Sequence, residues 1–278
     1  MTTVIYEQND GVVSITLNRP AKHNAMNPQM LVELASAWNR FRDDDAARVA
    51  VLTGAGDKAF SAGADLGSLL PLLTRTRSAE DEWDEALLAD RSIQMTAILR
   101  GFELYKPVIA ALNGFALAGG AEVIGACDLR IAASHATLAL SEVKRGIVPG
   151  GGSMVRLARQ IPYAKAMEIL LTGEPMTADE AYRIGLVNEV TAADELLERA
   201  VTLARLIAEN APLAVQACKE VVLRSSGLPY AEANRIEDEA AVGILRTNDA
   251  IEGPRAFMEK RKPEFTAIDH HQSYEPLD

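Results

Sequence analysis

The residues best placed to do chemistry are two glutamates beside glycine-rich turns. Glu122 follows the pair Gly119–Gly120 at the head of a small-residue helix. Glu142 stands just before the run Gly146–Ile147–Val148–Pro149–Gly150–Gly151–Gly152. Both lie in otherwise apolar surroundings. Glycines just before a helix let another molecule approach the backbone closely. The first N–H groups of a helix lack intrahelical partners and carry partial positive charge. Gly119 to Ala121 therefore have the character of an anion or oxyanion site, and a carboxylate beside it could do acid–base work. A second small-residue turn, Phe60–Ser61–Ala62–Gly63–Ala64–Asp65–Leu66, could expose further N–H groups at a helix start. Two backbone donors are what a thioester or ester oxyanion needs.

Taken singly, each signal has a plainer reading. A glutamate in a helix is usually solvated, and a glycine pair before a helix is more often a packing turn. Gly150–Gly151–Gly152 fits neither GxGxxG nor GxxxxGK[ST], so a dinucleotide or P-loop site has little support. His23 and His135 show no partner pattern, and His270–His271 lie in the tail. Ser61 and Ser141 lack the GxSxG elbow. Cys127 reads as a small buried hydrophobe. Cys127 and Cys218 have no redox spacing, and no metal-ligand set is visible, which suits a reduced, cytoplasmic setting.

The elements that must position these residues follow from hydrophobic period and turn chemistry. Val4 to Tyr6 and Val12 to Leu17 alternate around Asn9–Asp10–Gly11 and read as a hairpin. Asn27–Pro28 opens a helix over residues 29–42 with one apolar face. Residues 49–53 form a buried strand. Residues 71–90 mix basic and acidic clusters and read as an insertion or loop leading into a helix, which continues over 93–102. Residues 107–112 form a strand into the Gly119 turn. Residues 129–133 and 137–140 are strands, and helices follow near 153 and over 164–171. Thr177–Ala178–Asp179–Glu180 resembles a capping box, and Gly185 a C-cap before a short strand. From 193 the chain is almost wholly helical, in segments 193–210, 212–225 and 229–247, with a last short helix over 251–260. Strand–turn–helix units first and helices last predict a layered α/β core. The expected division is a core over 1–195, a helical region over 196–268 and a polar tail over 269–278.

The chain has 278 residues, nearly half of them apolar, enough for a sizeable core. Its net charge of −11 argues against broad nucleic-acid or anionic-membrane binding. No apolar run reaches spanning length, and the N-terminus lacks a secretory pattern. Leu196, Leu197, Val201, Leu206, Ile207, Val221, Val222, Ile236, Ile244 and Leu245 are more than a small appendage could bury alone, which predicts self-association.

Ordered stretches along nearly the whole chain resemble the crotonase (enoyl-CoA hydratase/isomerase) superfamily. They are Leu17–Asn18–Arg19–Pro20 with Asn24–Ala25, Ala59 to Leu66, Lys106 to Gly114, and Gly119–Gly120–Ala121–Glu122 with Cys127–Asp128. Ser141–Glu142, the 146–152 run, Leu171–Thr172–Gly173, Gly185–Leu186–Val187 and Phe257 to Arg261 continue the match. The resemblance implies a spiral of repeated ββα units and a helical C-terminal region that builds a homotrimer or a dimer of trimers. It implies a coenzyme A thioester as substrate and no separate cofactor. It places oxyanion donors at Ala64 and Gly119, acid–base carboxylates at Glu122 and Glu142, and water positioning at Gly150. Coenzyme A contacts are implied at Ala21, His23, Ala62, Ala64, Asp65 and Leu66, and at Phe257 and Lys260 of a neighbouring subunit. The sequence departs from the pattern at Gly67, where many members carry lysine, at Ala118, the first position of a common glycine triple, and across 71–90.

The function expected on this resemblance is hydration of a trans-2-enoyl-CoA. A double-bond isomerase, or a dehydratase of a hydroxyacyl-CoA such as carnitinyl-CoA, could use the same residues. A non-catalytic acyl-CoA-binding scaffold is the rival from another class, and retention of both glutamates weighs against it.

Overall fold

A computed structural model describes residues 2–267 of the chain. His270, His271 and the tail 269–278 lie outside the described residues. The chain up to Leu104 together with Val108–Ala204 forms one compact unit. Tyr105–Pro107 together with the chain from Arg205 onward forms a second.

The first unit contains ten strands among its described residues. They are β1 (Val4–Asn9), β2 (Val12–Leu17), β3 (Val49–Gly54), β4 (Ala59–Ser61), β5 (Val108–Leu112), β6 (Phe115–Leu117), β7 (Leu129–Ala133), β8 (Thr137–Ala139), β9 (Met176–Thr177) and β10 (Glu189–Thr191). Six make one sheet in the order β1-β2-β3-β5-β7-β10, and four make a second in the order β4-β6-β8-β9. Only the β1–β2 and β8–β9 pairs are antiparallel. β3 and β5 are buried along their whole length, as parallel strands covered on both faces must be.

The helices of this unit begin with α1 (Pro28–Asp43), α2 (Leu69–Leu73), α3 (Glu82–Ala89), α4 (Ser92–Ala97) and α5 (Gly119–Ala126). They continue with α6 (Ser153–Gln160), α7 (Tyr163–Thr172) and α8 (Ala178–Arg183) and with most of α9 (Leu196–Ala208), whose residues from Arg205 on are counted in the second unit. The pairs β3/β4, β5/β6 and β7/β8 each lay one strand in each sheet beside the previous pair. Each pair is followed by helix, so the chain winds as the expected ββα spiral. Parallel neighbours require such a crossover, because a hairpin cannot make them. Asn27 caps α1 by accepting from the Met30 N–H at 3.1 Å, and Met30, Leu34, Trp38 and Phe41 fill the core from its buried face.

Two features hold α5, the helix of Glu122. Gly120 lies so close to β4 that an added Cβ would stand 2.5 Å from the Ser61 carbonyl. At the other end, buried Arg130 donates to the carbonyls of Ile124, Gly125, Cys127 and Leu186. A cation there satisfies orphan carbonyls and complements the helix C-terminus.

Two local expectations change. No helix starts at residues 60–66; β4 ends there, and α2 begins only at Leu69. The helix expected through 102 stops at Ala97, because Leu99 (φ 54) and Gly101 (φ 65) take left-handed backbone. Residues 71–90 close on themselves through the Arg77–Asp84 ion pair, with Asp84 buried. Strands β4, β6 and β9 and helix α2 are additional to the elements expected.

The second unit carries α10 (Pro212–Ser225), α11 (Tyr230–Ile244) and α12 (Asn248–Glu259). Lys219 donates to the Lys106 carbonyl at 2.9 Å, and Asp249 accepts from the Thr266 and Ala267 amides. Val222, Tyr230, Leu245, Phe257 and Met258 are exposed, Leu245 by 75% and Phe257 by 81%. No helix among the described residues is long and apolar enough to cross a membrane.

Candidate active site

The two small-residue turns meet. The Met26 N–H donates to the Gly63 carbonyl at 2.7 Å, and the Asp65 N–H donates to the Met26 carbonyl at 2.9 Å. Ala64 is thus bridged to Met26 through its two neighbours. In such a pairing the middle residue turns its own N–H the other way. Gly63 has φ +83, and a Cβ there would stand 2.6 Å from the Leu117 carbonyl and 3.0 Å from the Gly119 nitrogen. A Cβ on Gly119 would lie 3.8 Å from the Ala64 nitrogen. The Ala64 and Gly119 amides therefore stand side by side, and neither donates to a recorded backbone acceptor among the described residues.

Ala118 holds the turn before Gly119 at φ 49 and ψ −122, while its N–H donates to the Ala139 carbonyl at 2.8 Å. That backbone region favours glycine, so the methyl is carried at a cost of about 1–3 kcal/mol. The departure from the glycine triple leaves the glycine-type path of the chain intact.

Glu122 and Glu142 are both buried. Glu122 leaves the first turn of α5 and meets the N-terminus of α6. Its Oε1 accepts from the Gly151 N–H at 2.7 Å and from the Ser153 N–H at 3.4 Å. Burial raises its carboxyl above the ordinary range, while the Gly151 and Ser153 bonds and the charge of Arg156 pull it back. Glu142 opens a short 3-10 turn, Glu142–Arg145, just after β8. Its Oε2 is buried with no partner among the described residues. Burial pushes its carboxyl up to about 7. The charge of Glu122 adds to that rise, and its own backbone N–H and Arg145 oppose it. Arg145 is itself held on Ser141, donating to its carbonyl and hydroxyl at 3.0 Å each.

Both carboxylates open into one cavity of about 320 Å³. Ala62, Ala64, Leu66, Gly119 and Gly150 line it with them. Its remaining wall is largely apolar, with Leu69, Leu70 and Leu73 from α2, Met95 and Ile98 from around α4, and Ile147 and Val148 from the loop after Glu142. Gln94, Ser141 and Arg145 add three polar side chains. Such a chamber can seat an apolar acyl group with its carbonyl on two backbone donors and its chain between two carboxyls.

Other expected site residues stand outside this lining. Asp65 pairs with Arg19 at 3.0 Å. Burial works to raise its carboxyl, but Arg19 and the Gly67 and Ser68 amides outweigh it and hold the value low. Ala21 lies on an exposed 3-10 turn, and His23 is exposed with its ring edge-on to Phe115 at 5.4 Å. Phe257 and Lys260 belong to the second unit, on α12 and at its C-cap. His135 meets only the Asp57 carbonyl at 3.2 Å among its recorded bonds, and Ser61 donates to the Asn24 carbonyl, a packing role. Sequence reasoning missed Gly151, Ser153 and Arg156 as the partners of Glu122. The available signal was a glycine run ending at a helix start, whose amides seek an anion.

A ββα spiral with two buried carboxyls and two adjacent amides in one cavity defines a crotonase-fold protein. The chain belongs to the enoyl-CoA hydratase/isomerase family, whose profile matches residues 7–268. Enoyl-CoA hydratase EchA19 of Mycobacterium tuberculosis is 39% identical over 261 residues, covering 94% of this chain and 95% of that protein. A carnitinyl-CoA dehydratase of Salmonella arizonae is 41% identical over 262 residues, covering 93% and 96%. A crystal structure of enoyl-CoA hydratase from Bacillus anthracis superposes with a TM-score of 0.86 at 37% identity, covering 96% of this chain and all of that one.

Proposed function

We propose that this protein adds water across the 2,3 double bond of a trans-2-enoyl-CoA to give the 3-hydroxyacyl-CoA. The observation that carries this reading is a pair of buried carboxyls in unlike environments, sharing a cavity with two adjacent backbone donors. The Ala64 and Gly119 N–H groups bind the thioester oxygen as negative charge develops on it. Glu122, supplied with donors that favour its anion, takes a proton from water as the oxygen attacks C3. Glu142, kept protonated by burial, delivers a proton to C2. Coenzyme A enters as part of the substrate. Named relatives support the hydratase chemistry, and the carnitinyl-CoA dehydratase relative supports a second reading in which the same pair removes water from a hydroxyacyl-CoA.

Hydration takes up no net proton, so both directions use the pair with one proton between them. They differ only in which glutamate holds it. Forward and reverse kcat/KM should therefore give the same bell-shaped pH profile, with the alkaline limb near pH 7 where Glu142 ionises. Glu122→Gln should cut crotonyl-CoA hydration by about 10²–10⁴-fold. An isomerase relying on Glu142 alone would keep converting 3-enoyl-CoA to 2-enoyl-CoA in that variant. Following loss of the enoyl-thioester absorbance in wild type and Glu122→Gln decides between them, and full hydration by the variant sinks the role given to Glu122.

The exposed apolar side chains of α10 to α12 support a trimer or hexamer as part of the same reading. Light scattering at micromolar concentration should return a mass of three or six chains; a monomer removes this part of the proposal.

A further inference from the structure

Glu122 is held from behind by a loop that two arginines grip. The peptide joining Gly150 to Gly151 gives its N–H to Glu122, and the carbonyl at its other end, that of Gly150, accepts from Arg100. The next carbonyl, that of Gly151, accepts from Arg156 Nη1 at 3.1 Å. Arg156 Nη2 donates to the Leu99 carbonyl at 2.6 Å. Leu99 is a bulky residue in left-handed backbone, φ 54, so the carbonyl that Arg156 takes comes from a strained turn. One half-buried guanidinium thus ties the glycine loop to the turn after α4. The space between is tight: a Cβ on Gly151 would stand 2.7 Å from Glu122 Oε2 and 2.7 Å from Ile98 Cδ1. Neither arginine lines the cavity.

We propose that Arg156 is a positioning residue that keeps Glu122 oriented and ionised, acting through the Gly151 peptide and through its charge, with Arg100 as a lesser clamp. The inference rests on the hydratase reading for what that ionised carboxylate then does. The charged and polar groups facing Glu122 can be named by element. α6 supplies Ser153 and Arg156, the glycine loop the Gly151 N–H, the turn after α4 Arg100, and the turn after β8 Glu142 with Arg145 beyond it. β4 and β6, packed against α5, contain no ionisable residue. Arg156 is thus the cation whose charge pulls the Glu122 carboxyl down. Its fork meets two carbonyls at once, which a lysine cannot reproduce.

The test uses the full chain as wild type, Arg156→Met, Arg156→Gln, Arg156→Lys and Arg100→Met. Arg156→Gln keeps hydrogen-bonding atoms without charge and serves if Arg156→Met does not fold. Two readouts are taken: the pH profile of kcat/KM for crotonyl-CoA, and carbon-13 NMR titration of glutamate carboxyls, with Glu122 assigned by its loss in Glu122→Gln. Arg156→Met or Arg156→Gln should raise the Glu122 midpoint and the acid limb by about one pH unit, leaving the alkaline limb in place. kcat should fall while KM changes little, as expected for a group that acts only on the reacting geometry. Arg156→Lys should return the acid limb but only part of the rate, and Arg100→Met should shift the limb less than Arg156→Met. An unmoved Glu122 midpoint in the uncharged variants, or a lysine variant titrating like methionine, overturns the inference. Failure of the wild type to hydrate crotonyl-CoA would overturn the hydratase reading instead, while the NMR midpoint still decides the clamp.

Discussion

Glu142→Gln is expected to abolish most of the activity and, at pH 8, to make the fold more stable. The activity loss should be about 10²–10⁴-fold, the usual contribution of a general acid–base group. The stability gain follows from the raised carboxyl, carried by burial from 4.5 to about 7. A carboxyl whose native value stands above its unfolded value binds its proton more tightly when folded. The stability linked to that proton is full below the unfolded value and is lost as pH rises through about 7. At pH 8 the native protein therefore holds an ionised, buried carboxylate whose Oε2 has no partner among the described residues. A pH unit corresponds to about 1.36 kcal/mol, which bounds the cost near 3 kcal/mol. The open cavity admits water, so screening reduces this to about 1–2 kcal/mol. Glutamine removes the charge at equal size. Denaturant unfolding of wild type and variant at pH 8 and pH 4.5 should show the gain at pH 8 and little of it at pH 4.5. Equal stability of the two proteins at both values would mean that Glu142 is solvated and not raised. The trade of stability for activity is the ordinary cost of a strained site.

Gly119→Pro is expected to lower hydration by at least about 10²-fold with the cavity still able to bind a coenzyme A ester. Gly119 is the first residue of α5, where the N–H has no helical partner and where proline is tolerated. The substitution deletes the donor and sets a ring beside the Ala64 amide. The demanding neighbour is Ala118, since the residue before a proline is pushed toward extended backbone and Ala118 sits at φ 49, ψ −122. Some loss of stability is therefore expected. Circular dichroism and acyl-CoA binding report folding separately from turnover. A folded variant that binds the ester and keeps near-normal turnover removes Gly119 from the oxyanion site.

Much of the architecture is legible in local pattern. The hairpin of β1 and β2, the capped α1, the buried runs of β3 and β5 and the helices from 196 onward follow from period, turn residues and caps, all of which act within a few residues. Short strands such as β4, β6 and β9 carry too few residues to show a period, and they exist because a neighbouring pass of the spiral offers them a partner. The stop of α4 at Ala97 is likewise non-local, since Arg156, far along the chain, takes the Leu99 carbonyl.

The chemistry divides in the same way. Sequence alone determined which residue types were at hand: two glutamates beside glycine turns, and a motif order that resembles one superfamily. Only the tertiary structure decided that the Ala64 and Gly119 amides stand side by side, because their turns are brought together by strands from different passes. It alone decided that Gly151, Ser153 and Arg156 serve Glu122 while Glu142 keeps an oxygen without a partner among the described residues. Composition cannot carry that difference, because two glutamates are chemically alike until burial and long-range hydrogen bonds give them unlike surroundings.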